Sequence, residues 1–325
     1  MSVGPQFTEE LERLLLPGHD PGGGITHLDR RRSEYSSSFT IEILEITFQN
    51  GNILPVVFKN LSKNSMISES RDIKNQFFYH PEREVAVYRN ILSKGDLNTA
   101  RFYGSVVDKS ADRYWLFIEK VPGLEMYQVG EFETWRQVAR WLVAFHGVFA
   151  DQAGELCKRA PLLLYDREYF QLWPQRALVN LNDRSPGIRA MIEKVLSRYD
   201  GVIERLLQLP ITLLHGDFYA SNILAQPIGN GTRICPVDWD MAALGPGLID
   251  LAALISGQWH KPERNALIEA YLGREPTEST RTDIACCQLH LAIQWLGWSP
   301  NWRPPEAHRQ DWVSQAAELA ERLDL

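Results

Sequence analysis

The chain has 325 residues, 44% hydrophobic and 23% charged, with a formal net charge of −7, and this composition excludes collagen-like, disordered and disulfide-framed chains. At about 150 residues per domain the length predicts two domains, each long enough to bury a core. Residues 1–121 are nearly balanced in charge and almost the whole deficit falls after them. That argues against broad nucleic-acid binding, which needs Lys and Arg to replace phosphate counterions, and suits either a cationic small partner or a solvated acidic surface.

Four cysteines are present, with no CxxC pair and with Cys286 and Cys287 adjacent. Cys157 and Cys235 read as buried apolar thiols in a reducing compartment. No apolar run reaches the roughly 18 residues of a membrane-spanning helix. Residues 1–13 are polar and acidic, without the basic and apolar regions of a signal peptide. The expectation is a cytoplasmic protein, monomer or homodimer, with neither membrane nor nucleic acid as partner.

In chain order, residues 1–32 read as an irregular extension carrying one short helix at 7–16 and a breaker cluster at 17–24. The triple glycine Gly22-Gly23-Gly24 reads as a loop in preference to a phosphate cradle, because no strand precedes it and no Gly-Lys-Ser/Thr follows. Residues 39–48 and 54–59 are rich in β-branched and aromatic side chains and flank a turn at 49–52, which predicts a strand pair. Val85, Tyr88, Ile91 and Leu92 lie at helical spacing within 82–92. Strands are expected at 100–107 and 114–119.

Beyond Pro122-Gly123 the pattern turns helical. Trp135, Val138, Ala139, Leu142, Val143 and Phe145 form an apolar stripe on a helix over 134–149. Further helices are expected at 187–207, 248–259, 265–272, 280–296 and 311–323. Short buried strands at 211–214 and 234–237 enclose a turn at 229–231. The reading is an α+β protein with a small β-rich N-lobe with one main helix (1–119), a hinge (120–123) and a larger, mostly helical C-lobe (124–325), with a cleft between.

The most informative segment is His215-Gly216-Asp217-Phe218-Tyr219-Ala220-Ser221-Asn222, followed by Asp238-Trp239-Asp240 and by Asp250. Phosphoryl transfer to a hydroxyl asks a protein for positioning and charge neutralisation more than for covalent chemistry. An Asp and an Asn five residues apart on one tight loop can face the same cavity, and an Asp on the next strand can complete a metal site.

These segments resemble the aminoglycoside phosphotransferase family, with its choline kinase and other small-molecule kinase relatives, which shares the protein-kinase-like fold. The family's HGDxxxxN loop is present as His215 to Asn222 and its DW segment as Asp238-Trp239. The resemblance implies Asp217 as catalytic base and Asn222 and Asp238 as Mg2+ ligands, with His215 supporting the loop and Asp250 bracing it. It further implies ATP or GTP as phosphoryl donor and a small hydroxylated acceptor, cationic or neutral. Lys59, ending the run Val56-Val57-Phe58-Lys59, is the implied phosphate-holding lysine, paired with Glu84 of the following helix. Lys63 and Glu82 are the competing residues for these two roles. In the connector, the Glu119 carbonyl and the Val121 amide are the implied partners of the nucleotide base, although a plain linker reads the same way. Where protein kinases carry a glycine-rich loop this chain has Ser36, Ser37 and Ser38, either contacting nucleotide or forming an ordinary polar turn.

His146, at the end of the first helix of the C-lobe, reads as a hydrogen-bonded core histidine. Asp240 either supports a metal site or faces the acceptor. Trp295 and Trp298, three residues apart, either wall an aromatic pocket or pack a core; Trp259, Trp302 and Trp312 share that ambiguity. Glu263, Glu269 and Asp283 are further acids able to meet an amine. A nucleotide-binding pseudokinase that acts as a scaffold is the main rival, and the intact Lys59, Asp217, Asn222 and Asp238 set speaks against it. A protein kinase is disfavoured by HGD in place of HRD and by the missing glycine-rich loop.

Overall fold

Period-two alternation governs the N-terminal sheet. In the computed structural model, which describes residues 5–33, 38–67, 78–181, 186–257, 259–298 and 310–325, the first elements are α1 (Pro5–His19), β1 (Ile25–Arg32), β2 (Ile41–Phe48) and β3 (Ile53–Asn60). They are followed by α2 (Arg83–Asn90), β4 (Phe102–Asp108) and β5 (Arg113–Glu119). The strands form one antiparallel sheet in the order β1-β2-β3-β5-β4. Leu44, Ile46 and Phe48 of β2, Val56 and Phe58 of β3, and Phe117 of β5 gather in one cluster with Phe7, Leu11 and Leu15 of α1. The opposite face of β3 carries Val57 and Lys59, and there Lys59 meets α2 through Glu84. The central strand thus has a hydrocarbon face and a face that holds one buried charge.

The chain divides into two compact units, Met1–Gly123 with Arg159–Pro161, and Leu124–Lys158 with Leu162–Leu325. The return of Arg159–Pro161 to the first unit is fixed by polar groups at α2: Asn90 Nδ2 donates to the Arg159 carbonyl (2.7 Å) and the buried Arg83 donates through Nε to the Pro161 carbonyl (2.9 Å).

The second unit begins with β6 (Leu124–Glu125), α3 (Phe132–Phe149), α4 (Ala153–Arg159), β7 (Leu163–Leu164), α5 (Arg167–Asn180), α6 (Pro186–Leu196) and α7 (Tyr199–Leu207). It continues with β8 (Ile211–Leu214), β9 (Ile223–Ile228), β10 (Gly231–Pro236), β11 (Ala243–Pro246), α8 (Leu248–Leu254), α9 (Lys261–Leu272), α10 (Glu278–Trp298) and α11 (Trp312–Arg322). Its strands form two three-stranded sheets, β10-β9-β6 and β7-β11-β8. From Ile284 to Ile293 every residue of α10 is buried, as expected of a helix enclosed on all sides; α5, α8 and α11 pack around it. Among the described residues no helix is long and apolar enough to cross a membrane.

Several expectations need correction. Residues 5–32 hold a longer helix and a strand: α1 runs on to His19, and β1 was hidden because it is an edge strand whose charged residues, Asp29 to Arg32, obscure any alternation. Charged side chains on an edge are a usual defence against unwanted strand pairing. Helix α5 was masked by Pro174 in its interior; Asp166 caps its N-terminus by accepting from the Tyr169 amide (2.9 Å). The single helix expected at 187–207 is two, broken after Leu196 where the Ser197 hydroxyl takes the Lys194 carbonyl. The helix expected at 248–259 stops at Leu254, ahead of Gly257 in the left-handed region (φ +105°). Cys157 is exposed rather than buried, on a short amphipathic helix whose buried residue is Leu156; the other three cysteines are buried and all four are free thiols.

Candidate active site

The loop after β8 is held from beneath by one carboxylate. Asp250, on α8 and 1% exposed, accepts the backbone N–H of His215 (2.7 Å) and of Gly216 (3.1 Å). His146 of α3 closes on the same carboxylate through Nε2 (3.3 Å), and its Nδ1 meets the Tyr271 hydroxyl of α9 (2.9 Å). Burial, and then the charge of Asp250, raise the Tyr271 phenol above its ordinary range, so it stays protonated and donates to Nδ1. His146 is therefore a hydrogen-bonded core residue, as its sequence position suggested.

Gly216 lets the chain reverse here. Its φ is +80°, and a Cβ at that position would lie 2.1 Å from the Met241 carbonyl oxygen, so both backbone conformation and space demand glycine. The buried His215 contacts the Val237 carbonyl through Nε2 (2.9 Å) and accepts the Asp217 amide at Nδ1 (3.3 Å). Those partners fix the tautomer with its proton on Nε2. The ring also packs on Trp239, centroids 4.5 Å apart.

Asp217 is half-buried at the tip of the loop. Asn222 Nδ2 donates to its Oδ2 (2.9 Å) and to its carbonyl (2.9 Å), which orients the carboxylate and turns the amide oxygen of Asn222 the other way. Asn222 directly precedes β9, Ile223 pairs with Pro236 of β10, and the Val237 amide donates to the Asn222 carbonyl (2.9 Å). Asp238, the next residue, adopts a left-handed conformation (φ +68°) that Asp tolerates better than bulkier residues. The hairpin therefore delivers Asp217, Asn222 and Asp238 to one end. A carboxylate and an amide oxygen are hard donors, and Mg2+ binds through one or two carboxylates plus substrate phosphates, so this pair fits such an ion.

In the first unit Lys59 Nζ lies 2.7 Å from Glu84 Oε1, the two side chains 6% and 1% exposed. A buried pair of this kind costs about 3–5 kcal/mol when one partner is removed, because the other charge is stranded. Lys63, by contrast, sits in a short turn after the sheet, and Glu82 pairs with the exposed Lys109. In the connector the Glu119 amide donates to the Arg101 carbonyl (2.8 Å) and its carboxylate accepts the Arg101 amide (3.0 Å). Val121 is buried and its carbonyl accepts the Gly123 amide. The Ser38 carbonyl accepts the Ile67 amide (3.1 Å); Ser36 and Ser37 lie outside the described residues.

Of the further acids, Asp283 is held by Arg205 (2.6 Å), Glu263 caps α9 at the His260 amide, and Glu269 is exposed. The tryptophans pack against aromatic partners: Trp298 stacks on Trp173 and Trp295 on Trp312, while Trp259 meets Phe132 and Trp135. Trp302 lies outside the described residues. One link to the loop had no signal in the sequence: Trp295 Nε1 donates to the Tyr219 hydroxyl (2.5 Å), two residues beyond Asp217.

A search of curated protein sequences found no match. Solved structures share the fold: a choline/ethanolamine kinase family protein from Mesorhizobium loti has TM-score 0.58 at 15% identity, covering 98% of this chain and 92% of that one. A microcompartment-associated aminopropanol kinase has TM-score 0.63 at 14% identity, covering 91% and 92%. A spectinomycin phosphotransferase crystallised with ADP and spectinomycin has TM-score 0.57 at 14% identity, covering 100% and 99%. Residues 80–282, well over half the chain, match the family model described as the phosphotransferase enzyme family, APH. With the braced loop and the hairpin lying inside that span, the chain belongs to the APH phosphotransferase enzyme family.

Proposed function

We propose that the protein transfers the γ-phosphoryl group of ATP to a hydroxyl of a small molecule, with Asp217 as catalytic base. The observation that carries this reading is the Asp217 carboxylate, oriented by Asn222 on a loop tied to Asp250. The acceptor oxygen attacks the γ-phosphorus, the bond from that phosphorus to the bridging oxygen breaks, ADP leaves, and Asp217 receives the hydroxyl proton. Lys59, kept charged and fixed by Glu84, holds the α- and β-phosphates, and the backbone of Glu119 and Val121 takes the nucleotide base. Asn222 and Asp238 would hold Mg2+, which when bound neutralises phosphate charge.

The acceptor class proposed is an amino alcohol or aminocyclitol. The relatives named above carry choline, ethanolamine, aminopropanol or spectinomycin in their names; all of these are hydroxylated and bear a basic or quaternary nitrogen. The acidic surplus beyond residue 121 suits such a cation.

The test is ADP release by the full chain with MgATP and with MgGTP across a panel of amino alcohols, aminocyclitols and sugars. Asp217→Ala should abolish acceptor-dependent ADP release while nucleotide binding, read by calorimetry, persists. Asp238→Ala should instead weaken binding of the magnesium–nucleotide complex. Equal ADP release from the Asp217→Ala protein would overturn the assignment of the base.

A further inference from the structure

At the far end of the second unit, α9, α10 and α11 enclose a cavity of about 520 Å³, within the range of small-ligand sites. Four cations border it: Lys261 and Arg264 from α9, Arg281 from α10 and Arg322 from α11; one acid, Glu278, accompanies them. This local excess of positive charge stands in a chain whose net charge is −7. Along α10, Arg281 is 14 residues from Trp295, the residue that touches the Asp217 loop; at 1.5 Å per residue that is about 21 Å. The cavity is not part of the site described above.

Its guanidinium groups are weakly partnered. Gln288 is 6% exposed and borders the cavity. Arg264 Nε is buried without a hydrogen-bond partner, and its Nη2 reaches the Gly257 and Trp259 carbonyls only at 3.4 Å. Arg281 meets Glu275, itself 80% exposed, at 3.3 Å, and Arg322 donates to the Arg281 carbonyl at 3.3 Å. Crowding of like charges and a buried donor left without a partner, Arg264 Nε, both oppose folding, so their joint presence at one concavity calls for a compensating ligand.

We propose that this cavity binds a phosphomonoester, its phosphate met by Arg264, Arg281 and Arg322 and its organic body lying over Ile268 and Ile284. Guanidinium groups arriving from three helices suit an anion that accepts from several directions, whereas one guanidinium fork already satisfies a carboxylate. The buried Gln288 amide is placed to meet a polar substituent of that body. Burial, and after it the Arg322 charge, lower the pKa of Arg264 against the opposing pull of Glu318, and a bound dianion would offset that cost.

Calorimetry on the full chain tests this, with glycerol 3-phosphate as the probe, malonate as the carboxylate control, and saturating MgADP present to fill the nucleotide site. Glycerol 3-phosphate should bind despite MgADP and more tightly than malonate. Arg264→Gln with Arg322→Gln should weaken it by about tenfold or more, the scale of one charge-assisted hydrogen bond. Because Arg264 is half-buried, the exposed Arg322→Glu alone is the second variant, and it should weaken binding without lowering the melting temperature. Absence of binding at millimolar probe, displacement by MgADP, equal binding of malonate, or indifference to Arg322→Glu would each overturn the proposal. Failure of the kinase reading would leave these results unaffected, since none of them reads turnover.

Discussion

Replacing Asp250 by Asn probes how the phosphotransferase loop is held. The side chain keeps its volume, but one acceptor becomes a donor. The less costly orientation turns the new NH2 toward the Gly216 amide, keeping the oxygen on His215 N and His146 Nε2, because the reverse loses two contacts rather than one. One hydrogen bond to a charged group is then lost, worth about 1.5–3 kcal/mol, and a partly buried N–H is left facing a donor. The expected loss is about 3 kcal/mol, which for a unit of this size lowers Tm by roughly 6–12 °C. The displaced loop carries Asp217, so kcat should fall by about 10² as well, the penalty of an ångström-scale misplacement. A tryptophan-fluorescence melt of the full chain, alongside steady-state kinetics, measures both. A Tm within about 2 °C of wild type together with unchanged kcat would refute the claim that this carboxylate holds the loop.

Gly216→Ala places a methyl group where the Met241 carbonyl stands and should cost kcat by about 10² or more; full retention of kcat would show that the tight reversal is dispensable. His290, enclosed in α10 with Nδ1 on the Tyr199 hydroxyl, is depressed by burial from 6.5 to about 3. The unfolded chain takes a proton on this ring below about pH 6.5 and the folded one does not until about pH 3, so its contribution to stability is complete above pH 6.5 and is lost as the pH falls toward 3. Urea melts at pH 7 and pH 4 should show wild type losing roughly 3 kcal/mol more than His290→Gln over that interval, and identical losses would contradict the burial argument. Native protein treated with a thiol reagent should gain one adduct, at the exposed Cys157. Burial lifts the Cys286 thiol to about 11 and the Cys287 thiol well above its ordinary value, and Cys235 is buried on β10, so fast modification of a second cysteine, read by intact mass, would contradict the packing of α10 or β10.

What could be read from the sequence follows the range of the interactions. The Asp217–Asn222 contact spans five residues, within reach of a loop motif. Lys59 and Glu84 are 25 residues apart, and it was the family resemblance that implied their pairing. Of the brace beneath the loop the resemblance implied Asp250 alone: His146 meets Asp250 across 104 residues and Tyr271 across 125, and nothing near Tyr271 marks it as a partner. The aromatic packing of Trp295 on Tyr219 and Trp312 was likewise hidden, since a helical spacing of tryptophans does not say which residues face them. Edge strand β1 and the proline-bearing α5 escaped because charge and Pro174 suppress the local signals on which strand and helix assignments depend.

The placement of α1 has a practical consequence for anyone trimming this protein. Shortening the chain to begin after Arg32 would strip Phe7, Leu11 and Leu15 from the rings of Phe58 and Phe117 and leave β2 as a bare edge. Each such side chain contributes about 1.5–3 kcal/mol by leaving water, so the three together rival the whole stability of a typical domain. A shortened version that failed to express would report a missing lid on the sheet rather than a missing activity, and purification tags are better appended than exchanged for the first helix.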